Sequence, residues 1–174
     1  MKTKIIGLEE SARGFSSDFS RVAGQRELLT LVLDAVQAAD ARALALEANP
    51  PGFRPQMMLT LLTYAYASSI YGSRDLELAM HTDRTIRYIC ARTFPDWQSI
   101  RRFRRRHREL VERCLTQVMA QARTLRLEET ESEYPWLGTP GPAAKAEKEL
   151  MGKAAAAARE RLDTAALMDG ADSD

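Results

Sequence analysis

The run Asp96-Trp97-Gln98-Ser99-Ile100-Arg101-Arg102-Phe103-Arg104-Arg105-Arg106-His107-Arg108-Glu109-Leu110-Val111 places six arginines and a histidine between Arg101 and Arg108. No Gly or Pro follows Asp96 until Pro135, so Asp96 to Leu125 reads as one long helix. Asp96 is a good N-cap: its carboxylate can accept a free first-turn N–H, and Pro95 stops any preceding helix. At about 100° per residue, Ile100, Phe103, His107, Leu110, Cys114 and Val118 share one face. Gln98, Arg101, Arg102 and Arg105 fall opposite, flanked by Arg106 and Arg108. One side docks on a core and the other turns a basic surface outward.

A charged run is ordinarily a solvated surface, but such helices interleave Glu with Arg at i,i+4. Here no carboxylate lies between Asp96 and Glu109. Glu109 and Glu112 then return on the outward side, where they can pair with Arg105, Arg108 and Arg113. The uncompensated positive field is confined to the turns before Glu109, which favours a polyanionic partner.

The charge of the whole chain, +1, hides this asymmetry. Residues 1–83 hold eight basic and ten acidic side chains, residues 84–126 twelve and three, and residues 127–174 five and eleven. A basic block followed by an acidic tail suits nucleic acid, with the tail screening the block or keeping the chain soluble. Cys90 and Cys114 sit in helical patterns without a CxxC partner, so free buried thiols are expected rather than a disulfide. The N-terminus lacks the apolar core of a signal peptide, and no run approaches the ~20 apolar residues of a membrane span. A cytoplasmic chain without a membrane partner is expected.

Outward from the arginine run, residues 1–24 read as an irregular lead-in. Gln25 to about Glu47 carries the helical stripe Leu28, Val32, Ala35, Val36, stopped by Asn49-Pro50-Pro51-Gly52. Pro55 opens a helix to about Ile70 that is apolar nearly all round, the expected buried centre. After Tyr71-Gly72, Ser73 caps a short helix to Met80, His81-Thr82 turns, and Thr82 or Asp83 starts another through Cys90. Short helices followed by a basic one are the layout of a helix-turn-helix DNA reader. Residues 25–126 therefore form the expected domain, residues 127–142 an acidic and Pro/Gly-rich linker, and residues 143–174 an Ala-rich helix with a disordered acidic end. In that helix Leu150, Met151, Leu162 and Leu167 make a thin stripe, suited to a dimer contact or a lone fraying helix. Trp136 is expected to pack back on the core. The fold class is all-α.

No zinc-spaced cluster accompanies His81 and His107, and no phosphate loop, GxSxG or HExxH motif occurs. No cofactor, metal site or catalytic residue is expected.

The segments Phe53-Arg54-Pro55-Gln56-Met57-Met58-Leu59, Leu62-Thr63-Tyr64-Ala65-Tyr66 and Gly72-Ser73-Arg74-Asp75-Leu76-Glu77 resemble the N-terminal domain of bacterial insertion-sequence transposases, the InsH-like enzymes of the DDE group. The resemblance is sharpest at Pro95-Asp96-Trp97-Gln98-Ser99-Ile100-Arg101-Arg102-Phe103-Arg104-Arg105-Arg106-His107 and covers roughly residues 25–126. It implies an all-helical domain that recognises element ends in double-stranded DNA and takes part in dimerisation. The RNase-H-like domain that carries the family's acidic metal ligands has no counterpart here. Glu128-Glu129-Thr130-Glu131-Ser132-Glu133 lacks the strands that would hold carboxylates around metals.

The expected protein is thus a non-catalytic, nucleoid-associated DNA binder, a regulator of transcription or transposition able to form a homodimer through the long helix and to co-assemble with a full-length transposase. Gln98, Arg101, Arg102 and Arg105 are the candidates for base edges. Arg104, Arg106 and Arg108, with Arg84 and Arg87 of the preceding helix, are the candidates for phosphates; the other reading of Arg104 is that it points toward a core edge and pairs internally. Six neutralised phosphates give a log K against log[salt] slope of roughly −5. The alternative is a helical interaction module whose basic face binds an acidic protein, its own tail, or RNA.

Overall fold

The computed structural model describes residues 24–39, 53–133 and 143–171. Among them are seven helices and no strand: α1 Gln25–Ala38, α2 Pro55–Ala67, α3 Ser73–Thr82, α4 Arg84–Cys90, α5 Trp97–Arg106, α6 Arg108–Glu133 and α7 Ala143–Ala171. The all-α expectation holds.

The centre is α2, where Pro55 sits at the first turn and every side chain from Met58 to Ala67 is buried. A helix apolar on all sides is stable only when neighbours surround it. Here α1, α4, α5 and α6 all pack on it. Its last turn closes at left-handed Ser69 (φ 62°), with the Ile70 N–H returning to the Ala65 carbonyl at 2.9 Å. The helix thus ends at Ala67, three residues before the expected Ile70.

In α1, Leu28, Val32, Ala35 and Val36 are buried against α2 and α6. It ends at Ala38 rather than near Glu47, and residues 40–52 lie outside the described part. Asp83 divides α3 from α4, its Oδ1 accepting the Ile86 N–H at 2.9 Å. His81 and Thr82, expected as a turn, belong to the last turn of α3.

The expected single helix from Asp96 to Leu125 is two. It bends at His107 (φ −113°, ψ 28°), whose N–H still reaches the Phe103 carbonyl and whose carbonyl still accepts from Val111. No Gly or Pro marks the site because hydrogen bonding is nearly unbroken there. The cause is packing: α5 rests on α2 and α3, whereas α6 runs along α1, α2 and α7. The two halves must aim their apolar faces at different partners. The later half places Leu110, Val111, Cys114, Leu115, Val118 and Met119 in the core.

The Ala-rich helix does not hang free but packs within the chain. α7 lies along α6 and touches α3. Its seam is Ala154, Ala158, Leu162 and Ala165, all fully buried. Of the expected stripe, Leu162 is buried, Leu150 is partly covered, and Met151 and Leu167 are exposed. Small residues at this spacing let two helices approach closely. Asp169 to Ala171, expected to be disordered, are helical, and Asp169 is buried. The backbone of residues 127–133, assigned to a linker, continues α6. Trp136 and residues 172–174 lie outside the described part.

Candidate nucleic-acid interface

α5 begins as its sequence dictates. The Asp96 Oδ1 accepts the Ser99 N–H at 2.6 Å, and this bond holds its carboxyl below the usual carboxylate range. Ile100 then turns inward and is buried, which sends Gln98, Arg102, Arg105 and Arg106 to the surface, with Arg101 half-covered. These residues and Trp97 line one open depression. Five of the nine residues singled out from sequence thus meet on one surface.

Trp97, at the edge of the depression, has a contact that the sequence pattern did not reveal. The Arg74 guanidinium of α3 stands 5.0 Å from the centroid of the Trp97 ring, a cation–π contact. Arg74 and Trp97 are 23 positions apart, and no local periodicity links them.

Arg104 does not join this surface. It points the other way, 3% exposed, with Nη1 2.6 Å from Asp169 Oδ2 and 3.1 Å from the Ala165 carbonyl of α7. The expectation that it contacts phosphate is corrected: Arg104 follows Ile100 by one helical turn and shares its inward face. It tolerates burial because a carboxylate and a carbonyl satisfy it.

Asp169 has a second task. Its Oδ1 accepts the Ser73 N–H at 2.8 Å and its Oδ2 accepts the Ser73 hydroxyl at 2.7 Å. Ser73 is therefore not the cap of α3 but a capped residue inside it, held by a carboxylate from α7. Four residues of α7 before Ala165, Arg161 donates to the Tyr66 and Ala67 carbonyls that end α2. One helix thus supplies an anion to the start of α3 and a cation to the end of α2. Beside this cluster, burial pushes the Tyr66 phenol up to about 12, against the opposing field of Arg104. The signal in the sequence is that Arg161 and Asp169 fall on the same stripe as Ala158, Leu162 and Ala165.

Arg108, beyond the bend, pairs with Asp163 at 2.6 Å on the surface, and Glu112 accepts from Arg159 rather than from Arg105, Arg108 or Arg113. Arg84 and Arg87 are exposed on α4, which packs on α2 and α3. Among the described residues no group of His, Cys, Asp or Glu is suited to hold a metal ion, and no helix is long and apolar enough to cross a membrane. Cys90 and Cys114 are buried free thiols, and burial pushes both up to about 11.

Comparison with known proteins bears on the part of the chain that ends where α5 ends. No curated protein matches the chain, and neither does any solved structure. Residues 25–106 match the family model described as Transposase domain (DUF772), so the segment from α1 through α5 is transposase-related.

Proposed function

We propose that this protein binds double-stranded DNA through α5 and regulates transcription or transposition without catalysing a reaction. The observation that carries this is the surface formed by Gln98, Arg101, Arg102, Arg105 and Arg106, which among the described residues has no carboxylate in its lining. Arg102 and Arg105 are exposed one turn apart, the spacing at which two guanidinium forks can meet successive base edges of a major groove. Gln98, at the open end of the helix, has the paired donor and acceptor that match adenine. Arg106, with Arg84 and Arg87, supplies phosphate contacts. The transposase-related segment 25–106 supports this reading and a role beside a full-length transposase on the nucleoid.

The competing reading, a basic face neutralised by the chain's own acidic end, is favoured by two contacts, Arg104 with Asp169 and Arg108 with Asp163. Both lie away from the depression, whose lining arginines do not include them.

The test is fluorescence anisotropy of the full chain with duplex DNA over a range of salt. With Arg104 internal and Arg108 paired, four or five phosphates remain, and log K should fall with log[salt] at a slope of about −4. A flat salt response sinks the proposal. Arg105→Lys keeps the charge and loses the fork, so discrimination among sequences should fall more than overall affinity. Competition by structured RNA at lower concentration than duplex DNA would instead assign the face to RNA.

A further inference from the structure

The exposed side of α4 carries a feature that duplex binding by α5 leaves unused. Tyr88 is 75% exposed, the most exposed aromatic side chain among the described residues. α4 buries Ile86, Ile89 and Cys90, so its amphipathic phase sends Arg84, Arg87 and Tyr88 outward together. Arg84 lies one turn before Tyr88 on the same face. Arg92 follows, exposed and left-handed at φ 71°. Exposed Arg54 lines the same recess as Ile89, Ala91 and Thr93, which puts it at the C-terminal end of α4.

Among the described residues none of Arg54, Arg84, Arg87 and Arg92 is in an ion pair, whereas Arg104, Arg108 and Arg159 all are. α4 itself contains no carboxylate beyond its cap, Asp83. The unanswered guanidinium groups of Arg84 and Arg87, which share the outward side of α4 with this ring, and that of Arg92 just beyond it form an anion-attracting surface with a flat apolar centre. A duplex stacks its bases internally and offers such a ring nothing to stack on. An unpaired nucleotide offers both a π-face and a phosphate, the pairing on which single-strand binding rests.

We propose that the α4 face binds single-stranded DNA where it leaves a duplex: an unpaired base stacks on Tyr88, Arg92 holds its phosphate, and Arg84 and Arg87 hold the phosphates at the junction. This deepens the nucleic-acid reading of α5 and rests on it only for the duplex half of the ligand. The preferred ligand is then a duplex with an unpaired extension, and an exposed ring amid unpaired arginines has the chemistry to mark that junction.

Anisotropy with the full chain tests this on three probes: a blunt duplex, the same duplex carrying a single-stranded thymidine extension, and the extension alone. Tyr88→Ala should weaken the extended duplex and the free strand by about tenfold and leave the blunt duplex unchanged. Tyr88→Phe, which keeps the ring, should bind as the unaltered chain does. Equal losses on all three probes, no loss on any, or full rescue by Tyr88→Leu would each overturn the proposal. Tighter binding of an RNA strand of the same sequence would overturn the assignment to DNA. If the free strand binds in a Tyr88-dependent way and the blunt duplex does not bind, the α5 reading falls and this one stands.

Discussion

Replacing Asp169 tests the buried linkage that ties α7 to the rest of the fold. Its carboxylate meets the Ser73 N–H, the Ser73 hydroxyl and the Arg104 guanidinium, all within 2.8 Å. Asp169→Ala strands the Arg104 cation at 3% exposure, and an orphaned buried charge costs about 3–5 kcal/mol. Loss of the cap on Ser73 adds about 1 kcal/mol. The sum, about 5 kcal/mol, is a large share of the 5–15 kcal/mol typical of a whole domain. Asp169→Asn removes the charge while keeping an acceptor for Ser73, so its cost should be smaller, about 3 kcal/mol. The double variant Arg104→Met/Asp169→Leu removes both charges and should be milder than the sum of its singles by at least ~2 kcal/mol. Urea unfolding followed by circular dichroism reads each value; with a slope near 2 kcal/mol/M, 3 kcal/mol moves the midpoint by about 1.5 M. A cost below ~1 kcal/mol for Asp169→Asn, or strict additivity in the double variant, refutes the linkage. The same variants separate structure from binding. Arg104→Met should leave the salt slope for duplex DNA unchanged, while Arg102→Ala should reduce it by about 1.

Ala91 is left-handed at φ 46° in the connection to α5, a region costly to any residue with a Cβ, so Ala91→Gly should raise stability by about 0.5–1 kcal/mol, seen as a melting point higher by a few degrees. An unchanged or lower melting point would show that the connection is not strained. Because burial raises the Cys90 and Cys114 thiols to about 11, the unfolded chain deprotonates first above pH ~8.5. Their contribution is therefore complete below that value and lost as pH rises towards 11. Native protein at pH 8 should resist a thiol reagent that labels both residues in urea, and rapid native labelling of either would contradict their burial.

Helix starts were legible because they are local chemistry. Asp96 accepts its first-turn amide, Asp83 does likewise, and Pro55 stands where a missing N–H costs nothing. The buried centre at Met58 to Ala67 was legible because no other segment is apolar on every side. The bend at His107 was not, since the stripe Ile100, Phe103, His107, Leu110 continues through it and only tertiary packing decides the angle. Nor was the seat of α7: alanines give little hydropathy signal, so the helix looked partnerless although Ala154, Ala158 and Ala165 are fully buried. The site divides in the same way. Helical phase brought Gln98, Arg101, Arg102, Arg105 and Arg106 to one surface, but it could not show a carboxylate from α7 waiting for Arg104. Arg74 escaped notice because its partner, Trp97, lies on another helix.

The two buried charged side chains of α7, Arg161 and Asp169, also set an order of events during synthesis. Arg161 meets a carbonyl 95 positions earlier, and Asp169 meets an amide 96 positions earlier. At roughly 5 to 20 residues per second, Ser73 leaves the ribosome's catalytic centre some 5 to 20 s before Asp169 is made. Through that interval the end of α2 and the start of α3, and the Arg104 guanidinium once it is made, have only water or chaperone for company. The transposase-related segment is translated early, yet its charged joints close only when a helix outside that segment arrives. The nascent chain therefore has a window in which the carbonyls that end α2 lack their Arg161 donor, and its yield in the cell should depend on how quickly that window shuts.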